Sequence, residues 1–284
     1  MKIGITAATG QLGKLVVESL KQKVASENIV VLVRKPEKAS DLGVEAKAFD
    51  YSNKATQVEA LKGIDTLLLI SGSEVGQREV QHANVIASAK EAGVKKIVYT
   101  SVLHADNSTL SLAVEHVATE KNLKESGLIY TILRNGWYTE NYTGSIGGAL
   151  AGGAFIGSAG DGKIASAARI DFAEAAATVL ATEGHDGKVY ELAGDTAYTL
   201  TDLAAEISAQ TGKAIPFANL PEAEYAKILT SFGLPEFFAQ AIASWDVSAS
   251  KGDLFDDSKT LSALIGRPTT SLAETVKETL ASLS

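Results

Sequence analysis

The chain has 284 residues, enough for one large or two modest domains with a substantial core. Its 26 basic and 34 acidic side chains leave a formal charge of −8, which removes the electrostatic basis for a nucleic-acid partner and turns the search toward small molecules. There is no cysteine, so disulfides, iron–sulfur clusters, thiolate zinc sites and protein-thiol redox are excluded, and any redox chemistry has to borrow a cofactor.

The opening MKIGITAATGQLG is broken by glycines and lacks the long apolar segment of a signal peptide. No later stretch approaches the ~20 apolar residues of a membrane span. A cytoplasmic protein without membrane insertion is the expectation, with a homodimer left open. Short β-branched runs predict strands at 2–6, 29–33, 45–49, 67–70, 97–100 and 129–133. Helical spacing predicts helices at 11–20, 54–61, 78–92 and 112–126, with Gly93 and Gly127 as stops.

The runs Val30-Val31-Leu32-Val33 and Leu67-Leu68-Leu69-Ile70 are apolar at every position, as strands buried on both faces must be. Beyond Arg134 the glycine-rich run 144–162 reads as turns around a short strand at Phe155-Ile156. Helices are expected at 171–181, 201–210, 222–231, 235–247 and 271–283, and another strand at 189–192. Ser271 and Glu274 have capping-box spacing. The fold class is α/β: a Rossmann-like doubly wound parallel sheet with a smaller, mainly helical C-terminal lobe. Residues 1–135 form the expected NADP-binding domain. Residues 136–284 form the substrate-cleft and helical lobe, with segments returning to the first domain.

Thr6-Ala7-Ala8-Thr9-Gly10-Gln11-Leu12-Gly13 follows the first strand and opens the first helix, the context required of a dinucleotide fingerprint. Gly10 lets the backbone approach a pyrophosphate at the helix N-terminus, and Gly13 lets the helix pack closely. Ala7 stands where the usual pattern has its first glycine, which is harmless only if its backbone angles are ordinary. At the end of the second strand, where an acidic residue would select NAD, the chain has Arg34-Lys35. A guanidinium fork suits a 2′-phosphate, so NADPH is expected over NADH. Asp50 and Tyr51 are placed near the adenine, with a turn cap as the alternative for Asp50. Ser71, Gly72 and Ser73 are expected along the middle of the cofactor with Gln77 close by.

These residues resemble the atypical short-chain dehydrogenases of the NmrA-like group, in particular their bacterial NAD(P)H:quinone oxidoreductase type 2 branch. The resemblance runs the length of the chain, through the glycine fingerprint, residues 71–77, Thr100-Ser101, His104-Ala105, residues 134–141 and residues 160–166. It implies NADPH-dependent reduction of a quinone, a small planar aromatic substrate, without a bound flavin. It also implies that residues 6–12, Arg34, Ser71, Gly72, Ser73, Trp137, Tyr138, Thr139, Glu140, Asn141 and Arg169 line the nucleotide. Reduction of triphenylmethane dyes or enones is the alternative on the same fold, and a non-catalytic NADP sensor is another.

Ordinary short-chain dehydrogenases pair a tyrosine acid with a lysine one helical turn later. Aligning the helix around Glu120-Lys121 puts Leu112 at the tyrosine position and His116 at the lysine position, and no YxxxK occurs elsewhere. A quinone tolerates that loss because solvent can protonate its reduced anion. Tyr138, His104 and His116 are the candidate catalytic groups, each with a structural alternative. Asn135 and Asn141 offer amides to the nicotinamide carboxamide or to helix caps. The four scattered histidines give no metal-ligand spacing, and no metal is expected.

Overall fold

The computed structural model describes residues Met1–Leu283. In chain order it contains β1 (Ile3–Thr6), α1 (Gln11–Lys21), β2 (Ile29–Val33), β3 (Glu45–Ala48), α2 (Lys54–Leu61), β4 (Thr66–Leu69), α3 (Arg78–Ala92), β5 (Lys96–Val102), α4 (Ala113–Glu125) and β6 (Ile129–Asn135). There follow α5 (Glu140–Thr143), α6 (Ile146–Gly152), β7 (Phe155–Gly157), α7 (Arg169–Ala181), β8 (Val189–Leu192), α8 (Leu200–Thr211), β9 (Phe217–Asn219), α9 (Glu222–Ser231), α10 (Glu236–Ser250), α11 (Thr260–Ile265) and α12 (Leu272–Ser282).

Seven parallel strands pair in the order β3-β2-β1-β4-β5-β6-β8. The order reverses between β1 and β4, and α/β sheets bind ligands in the crevice at such a switch point. Strand parity explains the continuous apolar runs. Ile3, Ile5, Val31, Val33 and Leu68 enter one core with α1 and α7, while Val30, Leu32, Leu67 and Leu69 enter the opposite core with α2 and α3. At Gly93 the chain turns left-handed, with φ +85°, and α3 stops where expected.

Elements of the second half pack against those of the first. β8 extends the sheet beside β6, α7 packs on α1, and α11 packs on α7. Around β7 and β9, which form a separate parallel pair, a third core gathers Ile146, Phe155, Leu200, Leu203 and Val276. Both α8 and α12 begin with complete capping boxes, Thr199 with Asp202 and Ser271 with Glu274. One expectation needs correction: the run 144–162 contains the helix α6, because Ile146 and Ala149 bury into that third core and packing overrides the poor helix propensity of its glycines. Among the described residues no helix is long and apolar enough to cross a membrane.

Candidate active site

The turn from β1 into α1 builds a cradle. Ala7 adopts φ +51°, so the ordinary angles allowed for it are not what the chain uses; the alanine sits in left-handed geometry at a cost of about 1–2 kcal/mol. Its carbonyl accepts the Gly10 N–H at 2.9 Å. A β-carbon on Gly13 would lie 2.4 Å from that carbonyl oxygen and 2.7 Å from Ala8 Cα, so only glycine permits this approach of helix to turn. Gly10 leaves the N-cap without a side-chain bond and no acid stands in the first turn, so the first amides of α1 remain open to an anion. Arg34 lies at the same end with a side chain 73% exposed, 3.8 Å from Glu74. Lys35 and Lys38 share that wall.

Behind the cradle, Thr6 and Tyr51 lock β1 to β4. Thr6 Oγ1 donates to the Leu68 carbonyl and accepts the Ile70 N–H at 3.0 Å, while the Tyr51 hydroxyl lies 2.6 Å from both Thr6 Oγ1 and the Ile70 carbonyl. His82 Nε2 accepts the Gly72 N–H at 3.0 Å, so Nδ1 carries the proton toward Thr119 Oγ1. Burial, reinforced by the Arg78 guanidinium, pushes the His82 pKa down to about 4 and keeps it neutral.

At the carboxyl ends of β5 and β6 the cleft wall holds Thr100, Ser101, Leu112, His116, Asn135 and Tyr138. His116 is 5% exposed, and its Nδ1 lies 2.7 Å from the Tyr99 hydroxyl. Burial, then the Arg78 charge and His82, push its pKa down to about 3, so it supplies no cation at neutral pH. Burial raises the Tyr138 pKa, so its hydroxyl stays protonated, and its ring lies under the Arg169 guanidinium at 4.8 Å and edge-on to Phe172. Asn135 Oδ1 is buried and has no hydrogen-bond partner among the described residues. A buried acceptor in the cleft wall near Tyr138 needs a donor from a ligand or water.

From there the cleft continues, with a volume of about 1720 Å³, into an aromatic box. Trp137 and Trp245 meet edge to face at 5.6 Å, Phe238 packs on Trp245 at 6.0 Å, and Tyr142, Phe155, Tyr225 and Phe232 add further walls. A drug-sized ligand typically fills roughly 300–1,000 Å³, so the space suits a nucleotide and a planar substrate together.

Residues 7–183 match the family described as NAD(P)H-binding. Quinone oxidoreductase 2 of Escherichia coli (strain K12) is 59% identical over 277 residues, covering 96% of this chain and 97% of that protein. The chain belongs to the NAD(P)H-binding family, in its NmrA-like short-chain reductase branch. Among solved structures, the NADPH-dependent quinone oxidoreductase from Escherichia coli complexed with NADPH superposes with a TM-score of 0.96 at 58% identity, covering 98% of this chain and 99% of that one. The Citrobacter sp. triphenylmethane reductase complexed with NADP(H) gives 0.94 at 39% identity, covering 98% and 100%.

Among the residues that the family resemblance implied, the structure brings Ala7, Thr9, Gly10, Gln11, Leu12, Arg34, Ser71, Gly72, Ser73, Trp137, Tyr138, Asn141 and Arg169 to one cleft. Others stand off its surface, and for each the reason is local. Thr6 and Ala8 are wholly buried beneath the turn, and Thr139 is buried with its hydroxyl 2.8 Å from Ser166 Oγ. Glu140 Oε1 accepts the Arg169 N–H at 2.9 Å, fixing the start of α7. Gln77 stands at the N-cap position of α3 without a side-chain cap bond and off the cleft, whereas Asp50 and Tyr51 do line the cleft, Asp50 also closing its own turn by accepting the Ser52 N–H. His104 lies outside the cleft lining with Nε2 3.2 Å from Asp256. Arg169 bonds Asn141 Oδ1 through Nη2 and pairs with Glu140, not with its own helix's Asp171. Sequence reasoning missed Arg78, Tyr142, Trp245 and Asp246, all of which line the cleft. A basic residue at the first position of a helix, against the helix field, was the available signal for Arg78.

Proposed function

We propose that this protein is an NADPH-dependent quinone reductase that works without a flavin. The observation that carries the reading is the continuity of one cleft from a pyrophosphate cradle, past the β5–β6 carboxyl ends, into a box of indoles and phenyls. The open amides of α1 and the close approach at Gly13 fit a pyrophosphate, Arg34 with Lys35 and Lys38 fits a 2′-phosphate, and the unpaired Asn135 Oδ1 fits a carboxamide N–H. NADPH bound there supplies a hydride. The protein's part is to hold donor and acceptor in register and to exclude water with aromatic walls.

At the two positions where an alcohol dehydrogenase keeps its acid–base pair, Leu112 has no ionisable group and His116 is held neutral, so that pair is absent from its usual place. That absence suits a substrate whose reduced oxygen is stable as an anion until solvent protonates it. The likeness to the Citrobacter triphenylmethane reductase favours one second reading, a cationic dye taken into the same box. The deciding experiment compares benzoquinones, naphthoquinones and triphenylmethane dyes at matched NADPH with flavin-free protein. The quinones are expected to turn over fastest, with a primary isotope effect from NADPH deuterated at C4. Dye decolorisation with negligible quinone turnover establishes the second reading, and NADPH binding with no acceptor reduced leaves a sensor.

A further inference from the structure

Arg78 opens α3, where its positive charge opposes the positive end of the helix field, and it is only 9% exposed. Two unfavourable terms at one residue mark a site where local rules are broken for a purpose. The side chain is held in place: Nε donates to the Gly72 carbonyl at 2.6 Å, and the backbone N–H groups of Arg78 and Gly76 both donate to Glu115 Oε1 at 3.0 Å. Nη1 is buried and has no hydrogen-bond partner among the described residues, although Arg78 lines the cleft beside His116.

We propose that Arg78 binds the substrate's oxygen: its guanidinium, at the cleft lining, donates to the quinone oxygen on which negative charge gathers during reduction. The inference rests on the quinone reading and names the residue that stabilises its product. A quinone that takes up a hydride becomes a hydroquinone monoanion, and one proton from solvent then completes the hydroquinone. A fixed donor left unpaired by the protein gains most when that charge appears, so it favours the anion over the neutral quinone. Register places His116 at the lysine position, and its neutrality leaves Arg78, beside it, and Arg169, over Tyr138, as the fixed cations of this part of the lining. Glu115 attracts the guanidinium without closing an ion pair within 4.0 Å, as far as the described residues show.

The probe is 4-nitrophenol, whose absorbance separates phenol from phenolate, titrated into the NADP⁺-loaded protein. Wild type is expected to bind it as phenolate, with its ionisation moved to lower pH. Arg78→Met is expected to lose about 10- to 100-fold in phenolate affinity and at least as much in kcat/KM for quinone, with NADPH affinity held within about threefold. Arg78→Lys keeps a cation for the Gly72 carbonyl yet cannot reach a second oxygen; it is expected to fold and to show the same phenolate loss, and it carries the comparison if the methionine variant does not fold. Equal phenolate binding in wild type and variant overturns the proposal, as does a phenolate loss matched by an equal loss of NADPH affinity. Phenolate capture through Arg78 in a protein that reduces no quinone supports the oxygen site while refuting the substrate reading.

Discussion

Asp246 offers a measurement in which the sign and size of an effect follow from burial. It sits on α10 at the aromatic end of the cleft, 4% exposed, with Oδ2 accepting the Ser158 N–H at 2.8 Å and Oδ1 3.3 Å from the Tyr142 hydroxyl. Burial raises its pKa to about 6 against the lowering effect of those two hydrogen bonds. In the unfolded chain an aspartate titrates near ~3.9. Between about pH 4 and pH 6 the folded state therefore holds the extra proton. The stability that this proton contributes is full below pH ~4, is lost as pH rises through about 6, and does not return above it. At ~1.4 kcal/mol per pH unit, the ionised carboxylate costs the native state on the order of 3 kcal/mol at pH 7.5. Asp246→Asn keeps an oxygen for the Ser158 N–H and removes the charge. After roughly 1 kcal/mol for an amide placed less well against Tyr142, we expect about 1–2 kcal/mol of stabilisation at pH 7.5 and none at pH 4. Urea unfolding from pH 4 to 8, with equal m-values, measures the difference. Parallel stability curves for the two proteins across that range would refute the reasoning.

Arg34→Ala is expected to weaken NADPH roughly tenfold and NADH less than threefold, since the lost fork serves only the extra phosphate, and equilibrium fluorescence titration with both nucleotides checks it. Gly13→Ala forces a methyl to within 2.4 Å of the Ala7 carbonyl oxygen, so we expect a stability loss of about 1–3 kcal/mol and loss of NADPH binding, read by calorimetry. Arg134→Met strands Glu120, which is 1% exposed and accepts Arg134 Nη2 at 2.7 Å, and is expected to cost about 3–5 kcal/mol in urea unfolding; adding Glu120→Gln should restore much of it. Ala7→Gly relieves the left-handed strain of about 1–2 kcal/mol but loosens the unfolded chain by about 0.4–1 kcal/mol, so a stability change within about 1 kcal/mol of zero and unaltered NADPH affinity are the expected results of thermal melts and titration.

What the sequence made legible follows from how local each feature is. The first six strands lie within two residues of expectation at either end; central strands buried on both faces write themselves as unbroken apolar runs, as Ile29–Val33, buried at all five positions, does, whereas the edge strand β3 has no buried position. The cradle was legible because strand, turn and helix are contiguous. α6 was hidden because Gly147, Gly148 and Gly152 oppose a helix that Ile146 and Ala149 hold in place from outside the segment. β9 and α11, at three and six residues, are too short to display a period. In the site, a run such as 137–141 shows which residues gather but not which way each points: Trp137, Tyr138 and Asn141 face the cleft while Thr139 faces Ser166. Asp246 and Tyr142 are 104 residues apart and meet only through the third core, so no local pattern announces them.

The two halves of the cleft divide the chemistry between them. The nucleotide end centres on a cradle of backbone groups made on the first strand–turn–helix, which is why a single glycine, Gly13, controls its geometry. The substrate end is assembled from α4, β6, α5, α9 and α10, elements spread over about half the chain, and its walls are mainly aromatic, with Asp246 and, from α3, Arg78 also in the lining. Such a box selects planarity and leaves the exact acceptor to shape. With Leu112 and a neutral His116 in place of an acid–base pair, proton transfer cannot be what selects the substrate. Selection falls to acceptors whose reduced form bears its charge on an oxygen within reach of a fixed cation, and Arg78 is a cation that this wall presents.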